Sequence, residues 1–260
     1  MLRPRIIPCL LFRDKGLVKT VKFNASKYIG DPINAVKIFN EKEADELIFL
    51  DIDATANVTP PDFSMIQKLA AECRMPLCYG GGVKTVEQAK KIIGLGVEKV
   101  AISSEAIINP SLVSSIAQEI GNQSVVVVLD VKKSLFGKHE VMTHNGKKKT
   151  GFTVVECAKR FEKLGAGEIV INSIDSDGQM QGYDLTLASD VRDAISIPLT
   201  LLGGAGSLSD ITELVKQCGV IGASAGSMFV YKGRYKAVLI NYLNQEQKDK
   251  ISLAACRKND

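Results

Sequence analysis

The chain has 260 residues, 45% of them hydrophobic, and a formal net charge of +4. That length and apolar content suit one ordinary globular domain that can bury a full core. The small positive charge comes with no block of basic residues interleaved with aromatic ones. This argues against nucleic-acid binding and suits an anionic small molecule.

The six cysteines include no C-x-x-C pair, and the two histidines, His139 and His144, have no zinc-ligand spacing. We therefore expect no metal and no cofactor. No stretch approaches the roughly 18 consecutive apolar residues of a membrane span, and residues 1–13 lack a signal-peptide pattern. The expectation is a soluble, reduced protein of the cytoplasm.

Short apolar, β-branched runs recur along the chain and alternate with segments of helical spacing. The runs are residues 5–11, 46–52, 77–79, 99–102, 125–131, 168–173, 199–202 and 220–223. The clearest helical segments are 31–43, 86–95, 110–120 and 153–164. Near-continuous apolar runs are typical of parallel strands buried on both faces. Eight such alternations predict an α/β protein of the (β/α)8 barrel type.

An internal repeat divides this predicted barrel into two halves. "ADELIFLDID" matches "AGEIVINSID", and "MPLCYGGGVKTVEQAKKII" matches "IPLTLLGGAGSLSDITELV". Both matches share an offset of 122 residues, which places Pro76 on Pro198 and Asp53 on Asp175. A long fixed period indicates that the fold repeats after four strand–helix units. We expect one barrel over residues 1–245, with half-barrels of about 1–121 and 122–245, and a polar tail over 246–260.

Glycines and small residues follow four of the predicted strands, at equivalent places in the two halves. Their backbone amides could approach an anion closely, and small residues opening a helix expose its first amides to a phosphate. Two such places at one barrel mouth predict an elongated ligand with a phosphate at each end. The residues are Gly81, Gly82, Ser103 and Ser104 in the first half, and Gly203, Gly204, Gly226 and Ser227 in the second.

Several motifs together resemble one protein family over residues 1–243. They include "DELIFLDI", "YGGGVKT", "NPSL", "VVVVLDVK", "GAGEIVINSIDSDG" and "GGAGS". The chain resembles the cyclase subunit of imidazole glycerol phosphate synthase. The resemblance implies a barrel of two half-barrels, which takes ammonia from a glutaminase subunit at its bottom. The ammonia then reacts at the top with a bisphosphate-type substrate.

The family uses two catalytic aspartates, at the ends of strands 1 and 5. Asp130 ends strand 5 here, but Leu11 stands where the first aspartate is expected. Leucine neither gives nor takes a proton, so ordinary cyclase activity is in doubt. The resemblance also implies phosphate binding by Asp177 and Gly178. It places three further residues at the mouth, which are Lys19, Asp53 and Asp175.

Four charged residues stand where strands 1, 2, 4 and 6 begin, which is the bottom of the barrel. They are Arg5, Glu46, Lys99 and Glu168. Two positive and two negative charges could simply neutralise one another as a structural plug. In the family, the residues at these places gate the ammonia passage beneath the docked glutaminase.

The charged residues at the barrel bottom match those of the family, whereas the mouth lacks one of the family's two aspartates. This combination favours a cyclase-like paralogue. Such a subunit would pass ammonia from the glutaminase to a sugar amidotransferase that forms amidino sugars for surface polysaccharide. The alternatives are a genuine cyclase of histidine biosynthesis that tolerates Leu11 and a non-catalytic conduit that activates the glutaminase. The related bisphosphate-sugar isomerase ranks last, because it also needs two aspartates.

Overall fold

The computed structural model describes residues 3–134 and 137–256. Fourteen strands lie within these residues. They are β1 (Arg5–Arg13), β2 (Gly16–Val21), β3 (Asn24–Gly30), β4 (Leu47–Asp51), β5 (Leu77–Gly80), β6 (Lys99–Ile102), β7 (Val125–Lys133), β8 (His139–Thr143), β9 (Lys148–Thr153), β10 (Glu168–Ser173), β11 (Leu199–Leu202), β12 (Gly222–Ala225), β13 (Tyr231–Lys232) and β14 (Ala237–Val238).

Ten helices accompany these strands in the same described residues. They are α1 (Pro32–Glu41), α2 (Phe63–Glu72), α3 (Val86–Gly94), α4 (Ser104–Ile108), α5 (Ser111–Ile120), α6 (Val154–Lys163), α7 (Leu185–Arg192), α8 (Leu208–Cys218), α9 (Ser227–Val230) and α10 (Gln245–Cys256). Most of the long helices begin at a side-chain cap, and three of them carry a full capping box at Thr85, Thr153 and Ser207. Such caps satisfy amides of the first turn and fix where each helix starts.

Eight parallel strands close into a barrel in the order β1-β4-β5-β6-β7-β10-β11-β12 and back to β1. Each of the eight predicted strands overlaps one of them. The predicted (β/α)8 barrel is therefore confirmed. The carboxyl ends of the strands meet at one mouth, and their amino ends meet at the bottom.

Side chains from the barrel strands form two separate apolar layers. One lies between the barrel and its helices. The other fills the lumen of the barrel, with Leu11 and Leu50 packed partly buried against it. The fully buried lumen residues are Ile7, Cys9, Ile48, Cys78, Ala101, Val126, Val128, Val170 and Leu202.

Two β-hairpins that the sequence did not predict rise from the mouth at equivalent places in the two halves. The hairpin β2–β3 pairs antiparallel with the end of β1, and β8–β9 pairs with the end of β7. A third, smaller hairpin, β13–β14, follows α9. These segments lie beside the strand ends and therefore frame the mouth.

The C-terminal segment differs from the expected polar tail. Residues Gln245–Cys256 form α10, in which Ile251 is buried. Lys248 fastens this helix to the barrel, since its Nζ donates to Asp45 Oδ1 at 3.0 Å. The few apolar positions of α10 are hidden in a polar composition, which explains the error. The expected fraying at the end of the tail concerns residues 257–260, which lie outside the described residues.

Within the described residues, none of the helices combines the length and apolar content that crossing a membrane requires.

Candidate functional site

Two neighbouring pockets open at the barrel mouth. The first pocket, of about 120 Å³, is lined by Gly81, Gly82, Ser103, Ser104 and Asp130 among others. The second pocket, of about 30 Å³, is lined by Lys19, Asp177, Gly178, Gly203, Gly204, Gly226 and Ser227 among others. Leu11, Phe23 and Asn172 line both. The structure thus brings the predicted phosphate-binding residues together in two adjoining groups.

Asp130 is a buried carboxyl at the end of the fifth barrel strand. Asn172 Nδ2 donates to its Oδ1 at 3.0 Å, and Ser103 Oγ donates to its Oδ2 at 3.3 Å. Burial raises the pKa of Asp130 to about 6, although both hydrogen bonds oppose the rise. A carboxyl with a pKa this close to neutrality can accept or donate a proton at physiological pH.

The equivalent place in the first half carries no such group. In the second half Asp130 stands beside Asn172 in the β7–β10 register, and in the first half Leu11 stands beside Leu50 in the β1–β4 register. Both leucines face the first pocket. One half of the mouth therefore presents a hydrogen-bonded acid–amide pair, and the other presents an apolar pair.

Glycine is required in both phosphate loops by the backbone itself. Gly81 and Gly82 have φ of +131° and +70°, and Gly203 and Gly204 have φ of +99° and +113°. An added Cβ on Gly81 would lie 2.6 Å from Asp51 O. These positive φ angles and close approaches explain the glycines even without a ligand. Phosphate binding by the loops stays a prediction that rests on their placement in the pockets.

Two short helices begin at the pockets without a side-chain cap. The N-cap residues of α4 and α9 are Ser103 and Gly226, and neither provides a side-chain hydrogen bond to its helix. Most of the longer helices have one. Amides of a first turn that lack an internal partner are suited to an anionic oxygen.

Lys19 supplies the cation of the second pocket. It lies on β2, is buried, and donates from Nζ to Cys9 O at 2.5 Å. Burial lowers the pKa of Lys19, while Asp177 opposes the change. The ammonium lies so close to Gly226 that a Cβ there would collide with it. The predicted reach of Lys19 toward an anionic ligand is compatible with this place.

Asp177 contacts the hairpin β2–β3 and lines the second pocket. Its Oδ2 accepts from Thr20 Oγ1 at 2.7 Å and from the Phe23 amide at 3.1 Å. A carboxylate repels phosphate, and these contacts describe an anchor for the hairpin. Direct phosphate contact by Asp177 therefore stays a prediction without support from its hydrogen bonds.

The other two mouth aspartates, Asp53 and Asp175, line neither of the two pockets. Asp53 forms a two-point ion pair with Arg13, with distances of 2.8 and 2.7 Å. Asp175 Oδ2 accepts from the Lys133 amide at 2.8 Å and lines a separate cleft at the rim. Both carboxylates hold loop segments in place.

Sequence reasoning missed several residues of the first pocket. Asp51, Arg13 and Asn145 line it, as does Asn172. Burial raises the pKa of Asp51, against the amides of Ala54 and Asp53 that donate to it. The repeat held a signal for Asn172. The 122-residue offset aligns it with Leu50, so a polar residue of the second half takes the place of an apolar residue of the first. Asn145 opens an Asn-Gly hairpin turn, and that dipeptide was a signal for the turn, although it did not place Asn145 at the pocket.

The four charged residues at the bottom form a closed ring, which we call the bottom ring. Arg5 pairs with Glu46 and Glu168, and Lys99 pairs with the same two carboxylates at 2.7 and 2.9 Å. Burial disfavours ionisation of Glu168, but Arg5 and Lys99 outweigh it and hold its pKa at about 2. Glu168 therefore remains charged, and each of the two carboxylates meets two cations, as a buried ion pair requires.

Within residues 3–134 and 137–256, no group of three or more His, Cys, Asp or Glu side chains is arranged to hold a metal ion. Asp130, with its amide and hydroxyl partners Asn172 and Ser103, is the hydrogen-bonded carboxyl of the first pocket. Fold and site together define an α/β barrel protein with a buried carboxyl of raised pKa and two glycine-lined pockets at the strand ends.

Comparison with known proteins identifies the family. The family model described as "Histidine biosynthesis protein" matches residues 5–236. A Vibrio vulnificus protein provisionally named imidazole glycerol phosphate synthase subunit hisF3 is 57% identical over 96% of both chains. The provisionally named hisF2 of Pseudomonas aeruginosa is 49% identical over 93% of this chain and 96% of its own.

The subunit HisF of imidazole glycerol phosphate synthase from Alkaliphilus metalliredigens is 40% identical over 89% of this chain and 92% of its own. The chain therefore belongs to the histidine biosynthesis protein family, among the HisF-type cyclase subunits of imidazole glycerol phosphate synthase.

Proposed function

We propose that this chain receives ammonia from a glutaminase subunit at the barrel bottom, conducts it through the lumen, and delivers it at the mouth to a separate enzyme. One observation carries the proposal. The bottom ring and the apolar lumen are complete, whereas the mouth has Leu11 and Leu50 where the other half has Asp130 and Asn172.

The lumen suits a neutral molecule. Its side chains between the bottom ring and Leu11 and Leu50 are apolar except that of Ser224, whose hydroxyl is satisfied by donating to Ile7 O at 2.9 Å. Moving an unpaired charge into such surroundings costs several kcal/mol or more, whereas uncharged ammonia is tolerated. Ammonia can pass only if a side chain of the bottom ring moves aside. Lys99 is suited to this movement, because its aliphatic chain is flexible and its side chain is 19% exposed.

The mouth is poorly equipped for cyclisation. That chemistry needs a proton acceptor and a proton donor on opposite sides of the substrate. Asp130 can serve as one of them, and Leu11 removes the other. Loss of one partner of an acid–base pair costs roughly 10²–10⁴ in rate. The ammonia that arrives would then be used outside the barrel.

For the acceptor, we propose a sugar amidotransferase that forms amidino sugars of a surface polysaccharide. One point supports this assignment, which is that the combination of an intact bottom and an altered mouth resembles cyclase-like subunits of that kind.

A genuine cyclase is the second candidate, and it is favoured by what the mouth retains. Asp130 keeps a raised pKa and two hydrogen-bond donors, and both glycine loops keep their geometry. A third candidate is a conduit whose mouth performs no chemistry and which only activates the glutaminase. The bottom ring is compatible with all three.

A cyclisation assay with free ammonia and the aminoimidazole-forming substrate separates the first two candidates. We expect the purified protein to be nearly inactive. The variant Leu11→Asp should raise the rate at least about 100-fold if the site is otherwise intact. The double variant Leu11→Asp/Leu50→Asn tests whether a copy of the Asp130–Asn172 pair in the first half supports cyclisation. Leu11→Asn is the matched control, since it has the shape of aspartate without its acidity.

Turnover by the unaltered protein that matches Leu11→Asp would overturn the proposal and establish the genuine cyclase. Asp130→Asn should leave amidino-sugar formation unchanged, because neither the first candidate nor the third uses proton transfer at the mouth. These two candidates differ in the acceptor: if the glutaminase depends on this chain in cells but amidino-sugar formation does not, the third candidate is correct.

A further inference from the structure

Three β-hairpins frame the mouth and form one surface. The first covers residues 16–30, the second residues 132–134 and 137–153, and the third residues 231–238; we call them the mouth hairpins. They contain β2–β3, the end of β7 with β8–β9, and β13–β14. Among the described residues, none of their exposed side chains lines either pocket or belongs to the bottom ring; Lys133 contributes only its backbone amide, which donates to Asp175 at the rim.

The mouth hairpins carry exposed cations almost without carboxylates. Two lysines are exposed on the first hairpin, six on the second, and two lysines and an arginine on the third. Glu140 is the one acidic residue in all three segments. Because the whole chain has a net charge of only +4, this basicity is concentrated at the mouth. The exposed cations are Lys22, Lys27, Lys132, Lys133, Lys138, Lys147, Lys148, Lys149, Lys232, Arg234 and Lys236.

Large apolar side chains are exposed on the same hairpins. Tyr235 is 92% exposed at the tip of the third hairpin, and Tyr28 is 66% exposed on the first. Phe152 adds a 42% exposed ring on the second hairpin, and Val238 lies on the third. Large exposed apolar side chains with a charged rim are typical of a protein-interaction site.

Contacts between the hairpins make the surface continuous. Lys27 Nζ of the first hairpin lies 5.7 Å from the centre of the Tyr231 ring at the base of the third. At its other end, the first hairpin places Phe23 beside the Gly146 turn of the second, within 3.5 Å of where a Cβ would lie. Phe23 also lines both pockets. A partner that covers the hairpins would therefore cover the pockets.

We infer that the mouth hairpins dock the ammonia-accepting enzyme through an acidic face of that enzyme that also presents apolar side chains. This inference rests on the proposed function, because only an acceptor seated over the mouth can take ammonia without losing it to water. Charge complementarity selects an acidic partner and speeds its encounter. The exposed tyrosines and Arg234 are the residue types that dominate binding energy in protein interfaces.

Other occupants fit the surface less well. A second copy of this chain would oppose one basic face to another, which is unfavourable. Single-stranded nucleic acid needs stacked rings along a groove, and the aromatic residues here are spread over separate hairpins. An anionic membrane would satisfy the lysines, but it would leave the pockets facing lipid.

The test places a photo-cross-linking benzoylphenylalanine in the full-length protein in its own cells. Tyr235 and Tyr28 are the positions on the mouth hairpins. Leu253 is the control, since it is 66% exposed on the outer face of α10. We expect one protein adduct from the two tyrosine positions and none from Leu253. An adduct from Leu253 as well, no adduct at all, or adducts only with nucleic acid, phospholipid or this chain would overturn the inference.

Affinity then tests the chemistry of the contact, using the cross-linked protein in purified form. Arg234→Glu/Lys236→Glu should weaken its binding to the complex of this chain with the glutaminase at least about tenfold. Lys68→Glu/Lys159→Glu makes the same charge change on outer helices and should leave binding unchanged. Equal binding by the two variants would contradict the inference.

Failure of the proposed function gives a different result. If Ala101→Leu, which narrows the lumen, leaves glutamine-dependent transfer unaffected, the ammonia route is wrong although the cross-link persists. If transfer is blocked but no cross-link forms at the mouth hairpins, the docking surface is wrong and the route stands.

Discussion

Removing Lys99 isolates the energetic role of the bottom ring. Lys99 Nζ lies 2.7 Å from Glu46 Oε1 and 2.9 Å from Glu168 Oε2, and both carboxylates are at most 5% exposed. The variant Lys99→Met leaves two buried carboxylates that share Arg5 alone. Breaking a buried ion pair in this way costs about 3 kcal/mol or more in the free energy of unfolding.

The exposed pair of Lys90 and Glu119 provides a matched control. It has the same residue types and a similar distance of 2.8 Å, but both side chains are about half exposed. Screening by water makes such a pair contribute little, so Lys90→Met should leave the urea midpoint unchanged. Urea unfolding at pH 7, followed by circular dichroism, measures both variants. If Lys99→Met costs no more than Lys90→Met, the ring is not a stabilising network and the reasoning fails.

Three further predictions concern pH dependence and backbone strain. The pKa of Glu168 is held at about 2, against an ordinary value of 4.5. About 3 kcal/mol of the free energy of unfolding, present above pH 4.5, should therefore be lost as the pH falls to 2. Urea titrations should show that Glu168→Gln reduces this loss of stability at acid pH. The pKa of Asp130 is raised to about 6 from 3.8, so its ionisation in the folded state costs about 3 kcal/mol above pH 6. Asp130→Asn should therefore raise the free energy of unfolding by about that much at pH 8 and add nothing at pH 3.5. An equal gain at both pH values would contradict the raised pKa of Asp130. Gly82 has φ +70°, and an added Cβ would lie 2.6 Å from Thr59 O, so Gly82→Ala should destabilise the protein by about 1–3 kcal/mol. Gly94 lies in open space at the end of α3, so Gly94→Ala should be neutral or mildly stabilising. Thermal unfolding measures both variants.

The barrel could be predicted because buried parallel strands have a distinctive sequence pattern. Runs such as 125–131 are apolar on both faces, and the 122-residue repeat fixed the arrangement of the two halves. The placement of the glycines also followed, since they come directly after strands whose ends must meet at the mouth. The residues at strand starts formed the bottom ring for the same reason.

Strands β3 and β9 of the mouth hairpins, and helix α10, were missed because they bury few side chains. Strand β3 is exposed along most of its length, and β9 is rich in lysine, so neither has an apolar alternation. In α10 the stabilising contacts come from Ile251 and from the bond of Lys248 to Asp45. Such contacts depend on distant parts of the chain and leave little trace in local sequence.

Partners of individual site residues also depended on the tertiary structure. The bond between Asn172 and Asp130 joins adjacent strands whose register the sequence does not give. Asp177 looked like part of a phosphate loop, but its carboxylate accepts from Thr20 and Phe23 of a hairpin that lies more than 150 residues earlier in the chain. Sequence can place a residue at the mouth, whereas its hydrogen bonds follow from how the loops meet.

The central claim is that ammonia crosses the lumen to serve an acceptor outside the barrel. It is tested most directly by the amidino content of the surface polysaccharide in cells that carry Ala101→Leu, with Ala71→Leu on the exposed face of α2 as the control. Ala101 faces the lumen and is 4% exposed, so the larger side chain obstructs the route. The account predicts loss of amidino groups with Ala101→Leu alone and normal growth without histidine in both strains. A histidine requirement together with unchanged amidino content would contradict it.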